Sequence, residues 1–586
     1  MKKTILYSLV IVALLPMLVS CKDMLDEVNY GNPTTEDMMS NEENVVLLVG
    51  QAYADIKWVH DHWGYFGVSS LTADECVCPV RMPNQDWADG GYWKNLNTHK
   101  WNEFAEAFRN IWNTTISGAV LCNKLLNTLS IYKDSMSEAV YLQYVSELEV
   151  LRSYYYYLLF DSFGRIPYVE DYEERTEPLM NPENVWSHLV NCLERNAPNM
   201  PKVTDGTRAN NYGRVTQGFA YGLLARLYLN AESFDCTPEN VKLNAENTNY
   251  RSDFVQITTA KDFYTNAVKC CDKVISSGSY SIATDYFSNF AISNESSREN
   301  IFVIVENGNT DFDLRSNGSM SNKLRMIALT LTYPMQQTWG LIEKPWNGFC
   351  ARPSFINRYN DKDVRGAGDE GNGTNNQKRW GWFVGPVYDT DGTTILTYKD
   401  SGDPDTQAII TKNITSLDKA TNADGARLFK YEIDTQKKYS WAENDFVLMR
   451  YADILWMKEE AILRGGEGVS GKDTPDFKRM ISRVFSNHDE VNPEADFMAA
   501  YPALFSGSTD EMLSAILDER GREFAWELVR RRDLIRFGKF NDDTYVDYVI
   551  GKESHRKWFP IPFSVIEKSS RDEVTGEPIW TQNPGY

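Results

Sequence analysis

Apolar residues recur at helical spacing through long stretches of the chain's first half. Asn44 to Trp58 follows a polar turn and is expected to be helical. Between Ala105 and Leu129, the residues Phe108, Ile111, Trp112, Ile116, Val120, Leu121 and Leu125 form one stripe of a helix. From Ser137 to Phe163 a second stripe holds Leu148, Leu151, Tyr155, Leu158 and Leu159, with Ser137 placed to cap the start. The run Tyr154 to Tyr157 circles that helix, which predicts packing on several sides. Pro182 to Arg195 has a proline suited to a first helical position. Val215 to Asn230 and Ala260 to Ser276 follow, the latter stopped by Gly278. Helix is expected again at Phe446 to Arg464 and Thr509 to Arg530. The fold class is therefore mainly α. Paired helices with small residues at their contacts suggest tetratricopeptide-like hairpins, and Ala220 to Tyr228 fits one such unit. Residues 281–440 differ: Gly, Asn, Asp and Thr abound, periodic runs are few, and short β-like pieces such as Ile301 to Val305 appear. We read a single domain over 42–586, with a helical scaffold over about 42–280 and 441–540 and a loop-rich insertion over about 281–440.

The N-terminus adds an address. Lys2 and Lys3 precede an apolar run from Thr4 to Ser20, too short to span a bilayer and right for a signal peptide. It ends Leu18-Val19-Ser20-Cys21, which resembles a bacterial lipobox, so residues 1–20 are expected to be removed and Cys21 lipidated. Lys22-Asp23-Met24-Leu25-Asp26-Glu27 puts an acidic cluster behind the lipid, similar to a surface-export signal, and residues 21–41 read as a tether. The formal net charge of -22 disfavours nucleic acid and anionic lipid as partners. The other cysteines (Cys76, Cys78, Cys122, Cys192, Cys236, Cys270, Cys271 and Cys350) follow no zinc spacing; pairing is unreadable from spacing, and buried free thiols are the expectation for most. His60 and His62 stand two apart, which on a helix points them in different directions, and no loop matches an EF-hand; no metal or cofactor is expected.

Six blocks in order then carry a resemblance. They are Leu151 to Leu158 with Phe163-Gly164-Arg165-Ile166-Pro167; Gly213-Arg214-Val215-Thr216 leading to Leu224 to Ala231; Phe446 to Asp453 with Glu460-Ala461; Glu519-Arg520-Gly521-Arg522-Glu523-Phe524; Arg532 to Gly538; and the end, Phe559-Pro560-Ile561-Pro562 with Gln582 to Tyr586. Behind a lipobox, this series resembles the SusD/RagB family of glycan-binding lipoproteins. The resemblance implies a helical scaffold with an irregular ligand-bearing region, an outer-membrane, surface-exposed location, and a SusC-like TonB-dependent transporter as partner. Read by themselves, the charges of Arg520, Arg522, Arg532 and Arg536 against Glu519, Glu523, Glu527 and Asp533 sit at helical spacing and predict scaffold pairs along a helix.

A neutral sugar offers hydroxyls and apolar C–H faces, so its site needs flat rings and a few fixed polar groups. Three stretches supply both. The first runs from Thr72-Ala73-Asp74-Glu75 to Trp93; its Pro79, Pro83 and Gly pair oppose regular structure, and Arg81, Asp86, Trp87 and Asp89 are its candidates. It departs from the starch-binding member's Trp-rich run by having Cys78 and Pro79. The second is Trp346-Asn347-Gly348-Phe349, where Asn347 both donates and accepts. The third holds Trp380 and Trp382, which on a strand would share a face. At each position a buried packing role competes with a ligand role. The expected function is non-catalytic glycan capture for delivery to the transporter. A surface glycoside hydrolase and a tetratricopeptide-type adaptor for proteins are the rivals. Among 82 acidic residues a catalytic pair always exists on paper, but no Gly-x-Ser-x-Gly, His-Glu-x-x-His or phosphate-loop motif occurs.

Overall fold

A computed structural model describes residues 35, 39, 44–172, 177–243, 251, 253–306, 325–366, 380–436, 442–485 and 492–586. Cys21, the signal segment and most of the tether lie outside these residues. The mainly helical expectation holds. The long helices are α1 (Glu106–Ile131), α2 (Glu138–Phe163), α3 (Pro182–Asn196), α4 (Gln217–Leu229), α5 (Ala260–Ser276), α6 (Tyr451–Leu463), α7 (Thr509–Glu523) and the shorter α8 (Arg530–Arg536). Successive helices pack as neighbours, α1 on α2, α2 on α3, α4 on α5 and α5 on α6. Small residues make the close approaches possible. A Cβ on Gly118 of α1 would sit 2.5 Å from the Tyr155 ring of α2. Every residue of α2 from Val150 to Phe163 is buried, which accounts for tyrosines on all its sides. Ser137 occupies the cap position of α2 without a side-chain cap bond, whereas Ser508 and Glu511 close a capping box on α7.

Three expected helices end differently. Asn44 to Trp58 is one α-helical turn and a half, Val45–Gly50, followed by 3-10 turns at Gln51–Tyr53 and Asp55–His60. Phe446 to Arg450 is a strand, entirely buried and paired antiparallel with Asn300–Ile304 (Val303 opposite Val447, Ile304 opposite Phe446), and helix begins only at Tyr451. This pairing clasps the two ends of the loop-rich stretch together. Other short antiparallel pairs lie within that stretch, Gly381–Phe383 against Arg427–Phe429 among them. Finally, the expected Thr509 to Arg530 helix stops at Glu523; Trp526 and Leu528 take left-handed backbone (φ 60° and 69°), making an elbow before α8.

The elbow is where the charged side chains converge, and they are buried. Arg450 binds Glu299 at 2.6 Å, Glu523 at 2.9 Å and Glu527 at 2.8 Å. Arg365 binds Asp363, Glu519 and Glu523 at 2.7–2.9 Å. Arg483 reaches Glu523 at 2.7 Å, and Lys430 reaches Glu527 at 2.5 Å. Arg520 joins Asp453 and Asp533, each at 2.8 Å, while Arg531 and Arg532 close on Asp161 of α2. The scaffold role expected of these charges holds, but most partners come from distant segments; only Arg522–Glu519 and Arg536–Asp533 run along a helix. All eight described cysteines are free and buried. No helix of the described residues is long and apolar enough to cross a membrane.

Candidate functional site

The first half of α1 is amphipathic in a way that builds one wall of a site. Phe108, Ile111, Trp112 and Thr115 turn inward. Glu106, Asn110, Asn113 and Thr114, spaced by four, three and one, fall on the opposite side. Facing them is the turn Asp61–Gly64. Asp61 is buried and shapes this turn: its carboxylate accepts the Trp63 N–H at 2.7 Å and its carbonyl accepts Gly64 N–H at 3.0 Å. Asn110 ties the wall to the turn by donating to the Trp63 carbonyl at 2.9 Å. Two adjoining depressions result, sharing Trp63 and Glu106. One, of about 250 Å³, is lined by Trp58, Asp61, Asn110, Asn113 and Thr114 among others. The second, of about 360 Å³, includes Asp89, Tyr92, Asn95, Trp101 and Asn102. Neither Trp63 nor this polar stripe was among the residues expected from sequence. The signal lay in the aromatic-rich His60 to Tyr65 segment and in polar residues at helical spacing on α1.

Trp63 belongs to a cluster of rings. It stacks on Tyr92 at 4.8 Å and meets Trp93 at 4.7 Å. Trp93 contacts Trp87 at 5.4 Å, and Trp87 lies 6.4 Å from Trp346. Buried His62 lies against Trp93 and Trp346, with centroids at 5.9 and 5.6 Å. Trp63, Trp87 and Tyr92 are half-buried, and Trp346 is 38% exposed. Burial raises the Tyr92 phenol above its ordinary range, so it stays neutral. The loop that presents Trp87 is held in unusual backbone: Gln85, Trp87 and Asp89 have φ of 60°, 67° and 36°, ahead of Gly90 and Gly91 at 63° and 87°. Each such non-glycine residue costs on the order of 1 kcal/mol, offset only by firm anchoring. The anchors are visible. Arg81 and Asp86 exchange backbone hydrogen bonds at 2.9 and 3.1 Å, closing the loop. Trp87 Nε1 donates to the Trp346 carbonyl at 2.8 Å, and the indole lies over Gly348, where a Cβ would come within 2.5 Å of it.

The residues expected from sequence divide accordingly. Trp87 and Trp346 are brought together at one edge of the ring cluster, and Asp89 lines the larger depression while accepting from Trp93 Nε1 at 2.5 Å. Asp86 is half-buried beside them and accepts the Tyr333 hydroxyl at 2.5 Å. Arg81 is fully buried, where it was expected to reach a ligand. Its guanidinium donates to the carbonyls of Thr421, Asp424 and Gly348 at 2.8–3.1 Å. Asn347 is also fully buried, donating to Asn422 at 2.9 Å, and Phe349 packs beneath Trp87 at 6.0 Å. Trp380 and Trp382 do not share a face. Gly381 between them has φ 81°, which breaks the alternation; Trp380 stacks on Phe287 at 5.0 Å, and Trp382 is buried against Trp526 at 5.9 Å. The Thr72 to Glu75 segment is structural: Asp74 pairs with Arg530 at 2.7 Å, and Glu75 accepts the Trp526 N–H at 2.9 Å.

Residues 306–586 match the model of the SusD family. No curated protein matches in sequence. Among solved structures, surface glycan-binding protein A from Bacteroides thetaiotaomicron in complex with laminarihexaose superposes with a TM-score of 0.63 at 20% identity, covering 92% of this chain and 99% of its own. Surface glycan-binding protein A from Bacteroides fluxus gives 0.64 at 18%, covering 93% and 100%. A laminarin-binding SusD-like protein gives 0.60 at 17%, with the same coverage.

Proposed function

Since the chain belongs to the SusD/RagB family, we propose that it is a non-catalytic glycan-binding protein of the cell surface, anchored in the outer membrane at Cys21, which hands its ligand to a SusC-like TonB-dependent transporter. The observation that carries this reading is the ring cluster of Trp63, Trp87, Tyr92 and Trp346 beside two polar depressions. Flat indole and phenol faces suit the C–H faces of pyranose rings, and the amides and carboxylates of α1 and its facing turn suit hydroxyls. A binding role is favoured over hydrolysis by the match to the SusD family; Asp86, Asp89 and Asp61 each also hold part of the site's frame, accepting from Tyr333, Trp93 and the Trp63 N–H. The relatives named for laminarin make a β-1,3-glucan the first polymer to try.

The test is affinity electrophoresis and calorimetry of the purified chain against a panel of soluble polysaccharides, with product analysis on the same samples. Binding without cleavage is expected. Trp87→Ala and Trp346→Ala are each expected to weaken that binding about tenfold, roughly 1.4 kcal/mol, without unfolding the chain. Turnover of any bound polymer overturns the binding-protein reading. Unchanged affinity in both variants removes these two rings from the site.

A further inference from the structure

We propose that this site is selective for uncharged glycans and excludes polymers bearing uronate or sulfate groups. The inference rests on the glycan-binding reading above and specifies its substrate class. The two depressions meet at Trp63 and Glu106, and their charged lining is of one sign: Asp61 and Glu106 in the smaller, Glu106 and Asp89 in the larger, with no Lys, Arg or His among the described residues that line either. The nearest cation along the helix, Arg109, is already paired with Glu106 at 3.3 Å. Of the neighbouring cations of the ring cluster, Lys94 is paired with Asp418 at 2.7 Å, and Lys344 is turned to the Asp400 carbonyl at 3.0 Å and the Tyr333 ring.

Two consequences follow from that charge distribution. A sugar hydroxyl entering either depression meets carboxylate oxygens that accept charge-assisted hydrogen bonds, and the amides of Asn110 and Asn102 lie within the same walls. An anionic substituent would instead lose water while facing like charge and no guanidinium or ammonium to receive it. The surrounding field acts in the same direction, since the whole chain carries a formal charge of -22. A site built for an acidic polysaccharide would have the opposite lining, with planar guanidinium groups placed for carboxylate or sulfate.

The experiment pairs each neutral polysaccharide that binds the full chain, laminarin first, with two derivatives of equal length and substitution. One is carboxymethylated and the other hydroxyethylated, so that size is matched and only charge differs. The carboxymethyl form is expected to bind at least about tenfold more weakly than the hydroxyethyl form at low ionic strength. The gap should shrink in about 0.5 M salt and in the Glu106→Gln variant, with Asp89→Asn as a second variant should the first not fold. Equal or tighter binding of the carboxymethyl form, or a panel in which only acidic polymers bind, overturns the selectivity and leaves the glycan-binding reading standing. Absence of binding to every polymer overturns both.

Discussion

Trp87 depends on what lies beneath it more than on its own loop. Its indole rests on Gly348, and its N–H is held by the Trp346 carbonyl. Gly348 is not in left-handed backbone, so alanine there fits the chain path but not the ring. Gly348→Ala is therefore expected to expel Trp87 and reproduce the affinity loss of Trp87→Ala, about tenfold, while the melting temperature moves little because the ring is half-solvated. Calorimetry and thermal melts on the one variant check both halves. Glu75 shows the converse, a polar residue of the candidate loop wholly spent on the frame. Burial lifts its carboxyl to about 8, against the lowering effect of the Trp526 N–H. A carboxyl raised in the folded state holds a proton that the unfolded chain has lost, so its contribution is complete below about pH 4.5 and disappears as pH rises through about 8. Glu75→Gln mimics the neutral acid; its melting temperature relative to the parent is expected to climb between about pH 5 and pH 9. At this scale the sequence separated Trp87 and Trp346 from regular structure by their Pro and Gly surroundings, and Asp89 with them. It could not separate Arg81 or Asn347 from ligand contacts, because their partners are distant in sequence: Thr421, Asp424 and Gly348 lie hundreds of residues from Arg81, and Asn422 lies 75 from Asn347.

Among elements, the α7–α8 elbow organises the second half of the chain. Arg450 of the strand Phe446–Arg450, Arg365 of the Asp363–Arg365 turn, Lys430 and Arg483 all send charges to Glu519, Glu523 or Glu527, and Glu299 joins them through Arg450 and Arg483. Helical spacing of these charges was legible, and so was α7. The break at Phe524 was not, because buried partners from four segments outweigh helix propensity over a few residues. The same holds for Phe446–Arg450, whose apolar run is equally compatible with helix or strand until Asn300–Ile304 pairs with it. Burial alone would raise the Glu523 carboxyl, but the guanidiniums of Arg483, Arg450 and Arg365 hold it down at about 2. Asp74 is held at about 2 by Arg530 and Arg358, and Asp533 at about 2 by Arg520 and Arg536, each against its own burial. A depressed carboxyl stabilises above its unfolded value and loses that contribution as pH falls towards the folded one, here from about 4 down to 2. Acid unfolding monitored by circular dichroism is expected to fall in this window. Arg450→Met, which removes the one cation shared by three buried carboxylates, is expected to cost about 3–5 kcal/mol in urea melts and to move the acid transition upward in pH. A loss under about 1 kcal/mol would show the network to be dispensable.

On the scale of the whole molecule, the site is assembled from residues 58–65, 86–96 and 101–115 with 346–349 closing one edge, and the frame that sets their distances is a run of helices whose periodicity was readable without any structure. What the periodicity could not supply is adjacency: Trp63 meets α1 and the Tyr92 ring only because the Asp61 turn folds back onto Asn110. The proposed task also requires that this frame stay at the membrane surface. Among the described residues no helix is suited to crossing a bilayer, and a formal charge of -22 is repelled by anionic lipid rather than drawn to it. In the proposed reading, attachment is through a lipid on Cys21. A diacylglycerol thioether plus an acylated amine gives the two or more chains that stable anchoring takes, where a single chain exchanges readily. Cys21→Ala removes the acceptor thiol and with it the anchor. Fractionation of cells carrying that variant is expected to find the chain in the soluble fraction, folded and still able to bind the glycan its parent binds. Retention in the outer-membrane fraction after a high-salt wash would mean that protein contacts, not lipid, hold it there.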